Sequence, residues 1–386
     1  MKSGFEKELM GNILPFWGRM VREDGSFPGR VDIDGRIDLS AHVGAVMAFR
    51  MLWMFSAVCR VTGNEQAGSL ADRIYGYVTR TFVDTENGGV WWSVAPSGEV
   101  VSSKKQSYAI GFAIYAFSEY AHLRRSKEAE ELAMQLFRCL EEKVWDAEGY
   151  GYVEALSADW SPLEDVRLSD KDMNAVFTMN THLHILEPYT NLYLLTSDPA
   201  VRSAVIRLLV IFRCRIYDAS SSHLGSFFNS SWERLDTEIS YGHDIEASWL
   251  ICEAADAIGV TDGSYRDMAD RLVLACEDGF RDDGSLVYRF DSGQWDEERH
   301  WWVQAEAVVG LMKVYRRSGD PVWLDKCSKA WDYIRKNIVD ARGGEWFWSR
   351  MPDGSVNRDE DKAGFWKCPY HNGRMCLEML KELTDE

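Results

Sequence analysis

Apolar residues recur every three or four positions through most of this chain, and the stretches that carry the pattern come in pairs. The run Phe112-Ala113-Ile114-Tyr115-Ala116-Phe117-Ser118-Glu119-Tyr120 has the period. The following stretch, 127–144, repeats it with Leu132, Leu136, Phe137 and Leu140. That is the signature of helices with one apolar face. Further pairs are predicted at 42–60 and 66–83, 173–195 and 199–217, 242–258 and 264–280, and 300–317 and 321–339. The terminal segments, 4–21 and 370–384, add one helix each, making about twelve helices in six pairs if the two ends meet.

Between the pairs one kind of turn returns six times. A glycine followed by apolar or aromatic residues appears as Gly25-Ser26-Phe27, Gly88-Gly89-Val90-Trp91-Trp92, Gly149-Tyr150-Gly151-Tyr152, Gly225-Ser226-Phe227-Phe228, Gly284-Ser285-Leu286-Val287-Tyr288 and Gly343-Gly344-Glu345-Trp346-Phe347-Trp348. Glycine ahead of such a run is a short-hairpin signal. A spacing of roughly 60 residues held across the chain marks a repeat architecture. Proline is scarce, and Pro15 and Pro188 are the ones that fall inside predicted helices, where they should kink or end them. No linker rich in Ser, Gly or Pro divides the chain. The expected fold is all-α: one (α/α)6 barrel, or toroid, spanning 1–386, with short β-hairpin loops at one end. An open helical solenoid is the competing form.

Composition narrows the partners. The 386 residues include 43 Lys plus Arg against 61 Asp plus Glu, a formal charge of -18. A polyanionic partner such as nucleic acid is therefore not expected. No window approaches the apolar length of a membrane span, and the start lacks a signal-peptide core. The eight cysteines are scattered with no C-x-x-C pair, so reduced thiols in a cytoplasmic protein are expected. The 16 Trp exceed what a core needs, and flat rings that stack on sugars or bases are one use for them.

The first helix of each pair follows a hairpin loop, so the six such N-terminal regions should gather at one end. Unusual polar groups lie there. In Tyr241-Gly242-His243-Asp244-Ile245-Glu246-Ala247-Ser248-Trp249, His243 and Glu246 are three apart and share a helical face. A carboxylate there would orient the imidazole. In Trp366-Lys367-Cys368-Pro369-Tyr370-His371-Asn372-Gly373-Arg374, Pro369 suits a helix start, with His371 and Arg374 on one face. Asn180 and His184 are four apart in Met179-Asn180-Thr181-His182-Leu183-His184-Ile185-Leu186-Glu187, while His182 points elsewhere. Trp302 and Glu306 share a face in Trp301-Trp302-Val303-Gln304-Ala305-Glu306, and Glu306 reads as a buried working carboxylate. Arg50 is the lone charge of an apolar helix and needs a partner, either a bound oxyanion or a carboxylate. Tyr108 begins the next helix. Each run also has a bland reading as helix cap or core. His243, Glu246 and His371 could in principle hold a metal, but no dense ligand motif or nucleotide-binding loop is present, so no metal and no cofactor are expected.

The four runs YGHDIEASWL, MNTHLHILE, WWVQAEAVVG and WKCPYHNGRMCLE, with ILPFW and RMLWMFSA near the N-terminus, resemble the N-acylglucosamine 2-epimerase superfamily and most closely its cellobiose 2-epimerases. The resemblance implies epimerisation at C2 of the reducing-end glucose of a β-1,4-linked disaccharide, without a cofactor. By motif match it implies His243 and His371 as the acid/base pair and Arg50 as the group facing the developing oxyanion. Tyr108, Asn180, His184, Glu246, Trp249, Trp302, Glu306 and Trp366 would line the pocket, the tryptophans stacking on sugar rings. Glu246 would hold His243, and the two histidines would face each other across the barrel axis. The partner expected is a small carbohydrate, and the assembly a monomer or weak homodimer. A monosaccharide 2-epimerase or aldose–ketose isomerase of the same superfamily, an inverting glycosidase built on Glu246 and Glu306, and a non-catalytic sugar-binding toroid are the rivals.

Overall fold

A computed structural model describes residues 1–383. Helices α1 (Lys2–Glu8) and α2 (Leu14–Gly18) form one rod joined by a π turn at Leu9–Ile13. There follow α3 (Ala45–Thr62), α4 (Glu65–Phe82), α5 (Ser107–Arg124), α6 (Lys127–Cys139), α7 (Met179–Thr196), α8 (Pro199–Ile211), α9 (Tyr241–Ala257), α10 (Ser264–Ala275), α11 (Trp301–Ser318), α12 (Pro321–Tyr333) and α13 (His371–Glu382).

The odd-numbered helices from α3 to α13 pack in sequence, and α13 packs back on α3, so the inner ring is closed. Each outer helix lies on its inner partner: α4 on α3, α6 on α5, α8 on α7, α10 on α9, α12 on α11, and α1 on α13. The two chain ends are joined as the twelve-helix reading requires. Val31 N–H donates to the Ala363 carbonyl at 2.8 Å, Phe5 stacks on Trp331 at 4.4 Å, and Trp17 donates to Glu345 at 2.7 Å. The architecture is the (α/α)6 barrel; the open solenoid is excluded.

Inner helices are buried nearly all round, as helices enclosed by neighbours must be. In α3 every residue from Ala45 to Cys59 is buried. Its length and mean hydropathy of 1.3 would suit a bilayer, but neighbouring helices cover it. Four inner-to-outer connections use the same two residues' worth of chemistry. A left-handed residue ends the inner helix (Gly63, Arg125, Ser197, Gly319), and a capping residue starts the outer one (Asn64, Ser126, Asp198, Asp320). The cap's side-chain oxygen accepts an orphan N–H of the new helix.

These short connections lie at one end. The long outer-to-inner loops, with their antiparallel hairpins, therefore all lie at the other. There the predicted turns appear as tight reversals, such as Trp145-Asp146 with Gly151-Tyr152 and Tyr217-Asp218 with His223-Leu224. The predicted helix 173–195 begins only at Met179, because Phe177-Thr178 pair instead with Phe227-Phe228.

Candidate active site

The first two turns of the inner helices, at the hairpin end of the ring, carry the predicted residues. Arg50 comes from α3, Tyr108 from α5, Asn180 and His184 from α7, His243 and Glu246 from α9, Trp302 and Glu306 from α11, and His371 from α13. Trp366 stands on the loop ahead of α13.

His371 is the first residue of α13 and is buried. Its Nδ1 lies 2.7 Å from Glu306 Oε1. A carboxylate only accepts, so Nδ1 carries the proton and Nε2 is left as the basic atom. Burial holds this imidazole well below the usual histidine range; the Glu246 carboxylate opposes that shift, while Arg50 and Arg374 add to it. His243 is half-buried, and its Nδ1 lies 2.7 Å from the Ser240 hydroxyl. Burial brings its pKa down to about 4, with Glu246 pulling partly back. Both imidazoles are thus neutral bases near pH 7.

The two rings meet the same tryptophan. Trp302 lies 4.7 Å from His243 and 5.6 Å from His371, centroid to centroid. The histidines therefore flank α11 rather than facing each other across the axis, which corrects the sequence reading. Gly242 makes this packing possible, since a Cβ there would fall 2.5 Å from the Trp302 ring.

Beneath the histidines lies a charge cluster centred on Arg374. Its Nη2 donates to Glu306 Oε1 at 2.7 Å and also to Glu246 Oε1, and its Nη1 donates to Glu187 and to the Tyr370 hydroxyl. Burial alone would raise the Glu187 carboxyl, but Arg374, His184 and Tyr370 outweigh it and bring it to about 2. Glu306 shifts upward, because burial outweighs the bonds from Arg374 and Trp249. Glu246 thus belongs to Arg374 and not to His243, whose orienting group is Ser240. Spacing of three within a helix shows a shared face; it does not show which neighbouring helix offers a better partner.

Trp249 is also reassigned. It is 2% exposed, its indole N–H donates to Glu306 Oε2 at 3.1 Å, and Arg374 lies 4.7 Å over its ring. It supports Glu306 from behind and cannot present a face to a sugar. Trp366 is half-buried and lines a groove of about 300 Å³ with Trp92, Phe365, Lys104 and Arg167, so its ring remains available at the rim.

Arg50 has no carboxylate partner among the described residues. Its Nη2 donates to the Tyr108 hydroxyl at 2.9 Å, and its guanidinium lies 4.1 Å over Phe112 and 4.2 Å over Tyr370. Its Nε is buried without a hydrogen-bond partner, as is Asn180 Oδ1. A buried cation held by rings and a neutral hydroxyl keeps its charge for an oxyanion. His184 stands edge-on to Tyr108 at 5.0 Å, with Nδ1 3.3 Å from Glu187. His182, two residues earlier, donates from Nδ1 to the Thr178 carbonyl and accepts the Tyr152 N–H at Nε2, a wholly structural set of bonds.

Ser240, Glu187, Tyr370 and Arg374 were not assigned roles from sequence. Glu187 is three residues from His184 and Arg374 three from His371, so the spacing that selected the histidines also pointed to them. Ser240 lies before its helix and carried no such signal. Glu246, Glu306 and His371 each offer a ligand atom within 4.8 Å of the others, spaced as metal ligands are. Arg374 Nη2 bonds the Oε1 atoms of both carboxylates, so a guanidinium already supplies the positive charge there; His243 is not part of this group. The same closeness disfavours the glycosidase reading, since an inverting pair needs about 6.5–9.5 Å between carboxyl groups.

Comparison with known proteins shows the family and the fold. The sequence profile of the family described as N-acylglucosamine 2-epimerase (GlcNAc 2-epimerase) matches residues 25–373. A cellobiose 2-epimerase of Bacteroides fragilis is 44% identical over 388 residues, covering 99% of each chain. The structure of a cellobiose 2-epimerase from Bacillus thermoamylovorans B4167 is 37% identical and superposes with a TM-score of 0.96 over 99% of each chain. A crystal structure of a D-mannose isomerase, at 19% identity and a TM-score of 0.87, shares the fold.

Proposed function

The chain belongs to the N-acylglucosamine 2-epimerase family and is a carbohydrate epimerase, and on that premise we propose that it inverts C2 of the reducing-end glucose of β-1,4-linked disaccharides. Cellobiose would give glucosyl-mannose, lactose epilactose, and mannobiose mannosyl-glucose. The whole chain serves as one catalytic domain, in the cytoplasm and without a cofactor; the eight free thiols support that compartment.

The C2 hydrogen becomes acidic only when the ring opens and C1 is an aldehyde. The reaction then needs one group to remove the proton and one to return it on the other face. His243 and His371, two imidazoles with Nδ1 held and neutral at working pH, fit that pair. The enediolate that forms between the two steps carries its charge on oxygen. Arg50, uncommitted to any carboxylate, stabilises that charge, with His184 and Tyr108 as further donors. Asn180, Trp302 and Trp366 contact the sugar, and Glu246 and Glu306 act through Arg374 and His371.

The observation that carries the reading is the two held imidazoles at the same end of the ring as a buried guanidinium with no carboxylate partner among the described residues. The test is a substrate panel of cellobiose, lactose, mannobiose, mannose and N-acetylglucosamine followed by NMR. The reading predicts C2 epimers of the three disaccharides as the fastest products. Faster turnover of mannose or N-acetylglucosamine, or a ketose as main product, would transfer the chain to another branch of the family. Glucose released from cellobiose would mean hydrolysis.

A further inference from the structure

Helix α7 bends within its length, and the bend falls on His184, whose backbone sits at φ -88°, ψ 15°. Pro188, four residues on, is the local cause. Its nitrogen carries no hydrogen for the His184 carbonyl, and its ring crowds the carbonyl of the residue four before it. Gly111 of α5 makes room for the displaced carbonyl. A Cβ at Gly111 would lie 2.3 Å from the His184 carbonyl oxygen and 3.7 Å from Pro188 Cγ. The α5 backbone can approach the released carbonyl only because residue 111 has no side chain. Features on two helices thus act on one peptide, the one that carries the His184 imidazole.

The ring is buried and packed against Tyr108 at 5.0 Å and Phe112 at 5.1 Å, but its polar contacts are long. Nδ1 is 3.3 Å from Glu187 Oε2, and Nε2 is 3.8 Å from Glu246 Oε2, both longer than a strong charged hydrogen bond. With polar partners at those distances, the direction in which the imidazole enters that packing depends on the backbone angle that launches it. We propose that Pro188 and Gly111 are positioning residues of this active site, setting the direction of His184 by fixing the kink beneath it. The proposal rests on the reading of His184 as a donor to the substrate.

Pro188→Ala restores the N–H and lets the helix regularise. It is expected to lower kcat on cellobiose about 10- to 100-fold, the cost of misplacing a donor by about 1 Å, with KM and Tm little changed. The 15N imidazole signals of His184 should shift, while those of His182 stay in place. In a His184→Ala background the same substitution should cost less than about twofold, since the two changes act through one group. Pro188→Ser, which also restores the N–H and adds a polar group of similar size, should share this signature and gives a second, independent variant. A kcat within about twofold of the parent overturns the proposal. So does an equal loss with and without His184, or a loss that follows a fall in Tm. If His184→Ala keeps the parent kcat, the role of His184 itself fails, and that result is separable from failure of the kink.

Discussion

The two histidines differ in what holds them. His371 gives its Nδ1 proton to Glu306, a buried carboxylate fixed in turn by Arg374 and Trp249. His243 has as its hydrogen-bond partner among the described residues the Ser240 hydroxyl, which can donate or accept. A carboxylate locks one tautomer; a hydroxyl turns to follow either. His371 is therefore the rigid member of the pair, with its basic atom determined in advance. His243 can change tautomer and charge without breaking its bond. Under the proposed function the difference matters, because in a reaction that runs in both directions each histidine would serve as base for one epimer and acid for the other.

The largest effect should come from removing either ring. His371→Ala or His243→Ala should lower kcat by about 10²- to 10⁴-fold, the usual contribution of a general acid or base. Steady-state rates on cellobiose check this, and full activity in either variant would break the pairing. Next is Glu306→Gln, which removes the lock and leaves Arg374 with one carboxylate fewer. A loss of about 10- to 100-fold in kcat is expected, with KM changed less. Ser240→Ala should cost less, about 2- to 10-fold, because a neutral hydrogen bond contributes only about 0.5–1.5 kcal/mol. If Ser240→Ala cost more than Glu306→Gln, the contrast between a lock and a follower would be reversed.

The smallest effect is in the pH profile. A histidine whose pKa is lowered stays neutral, and so basic, to lower pH than a free one. With His243 brought down to about 4 and His371 held by burial well below the usual histidine range, kcat/KM should vary less than about twofold between pH 8 and pH 6. It should fall only as the pH drops toward 4. An acid limb centred near 6.5 would show that one imidazole is not buried as described.

Much of this site was legible in the sequence, and the remainder has a physical explanation. The six glycine turns gave the repeat, and the pairing of helices gave the ring, because each loop must return the chain to the same end. Spacing of three or four put His371 beside Arg374 and Trp302 beside Glu306, since those pairs share a helical face. It failed for Glu246, whose partner sits on α13, and for Trp249, whose buried ring lies behind Glu306. Partners on other helices are set by ring closure and packing, and no local pattern records them. The bend at His184 was half visible: Pro188 announced a kink, but Gly111 lies 77 positions earlier in the chain.

The central claim is that a proton leaves C2 and a solvent-derived one returns. Cellobiose incubated with the enzyme in D2O and followed by proton NMR tests it directly. The glucosyl-mannose formed should carry deuterium at C2 and at no other carbon, and His371→Ala should form no such product at comparable rate. Glucosyl-mannose that retains its C2 hydrogen, or that forms at the parent rate without His371, would contradict it.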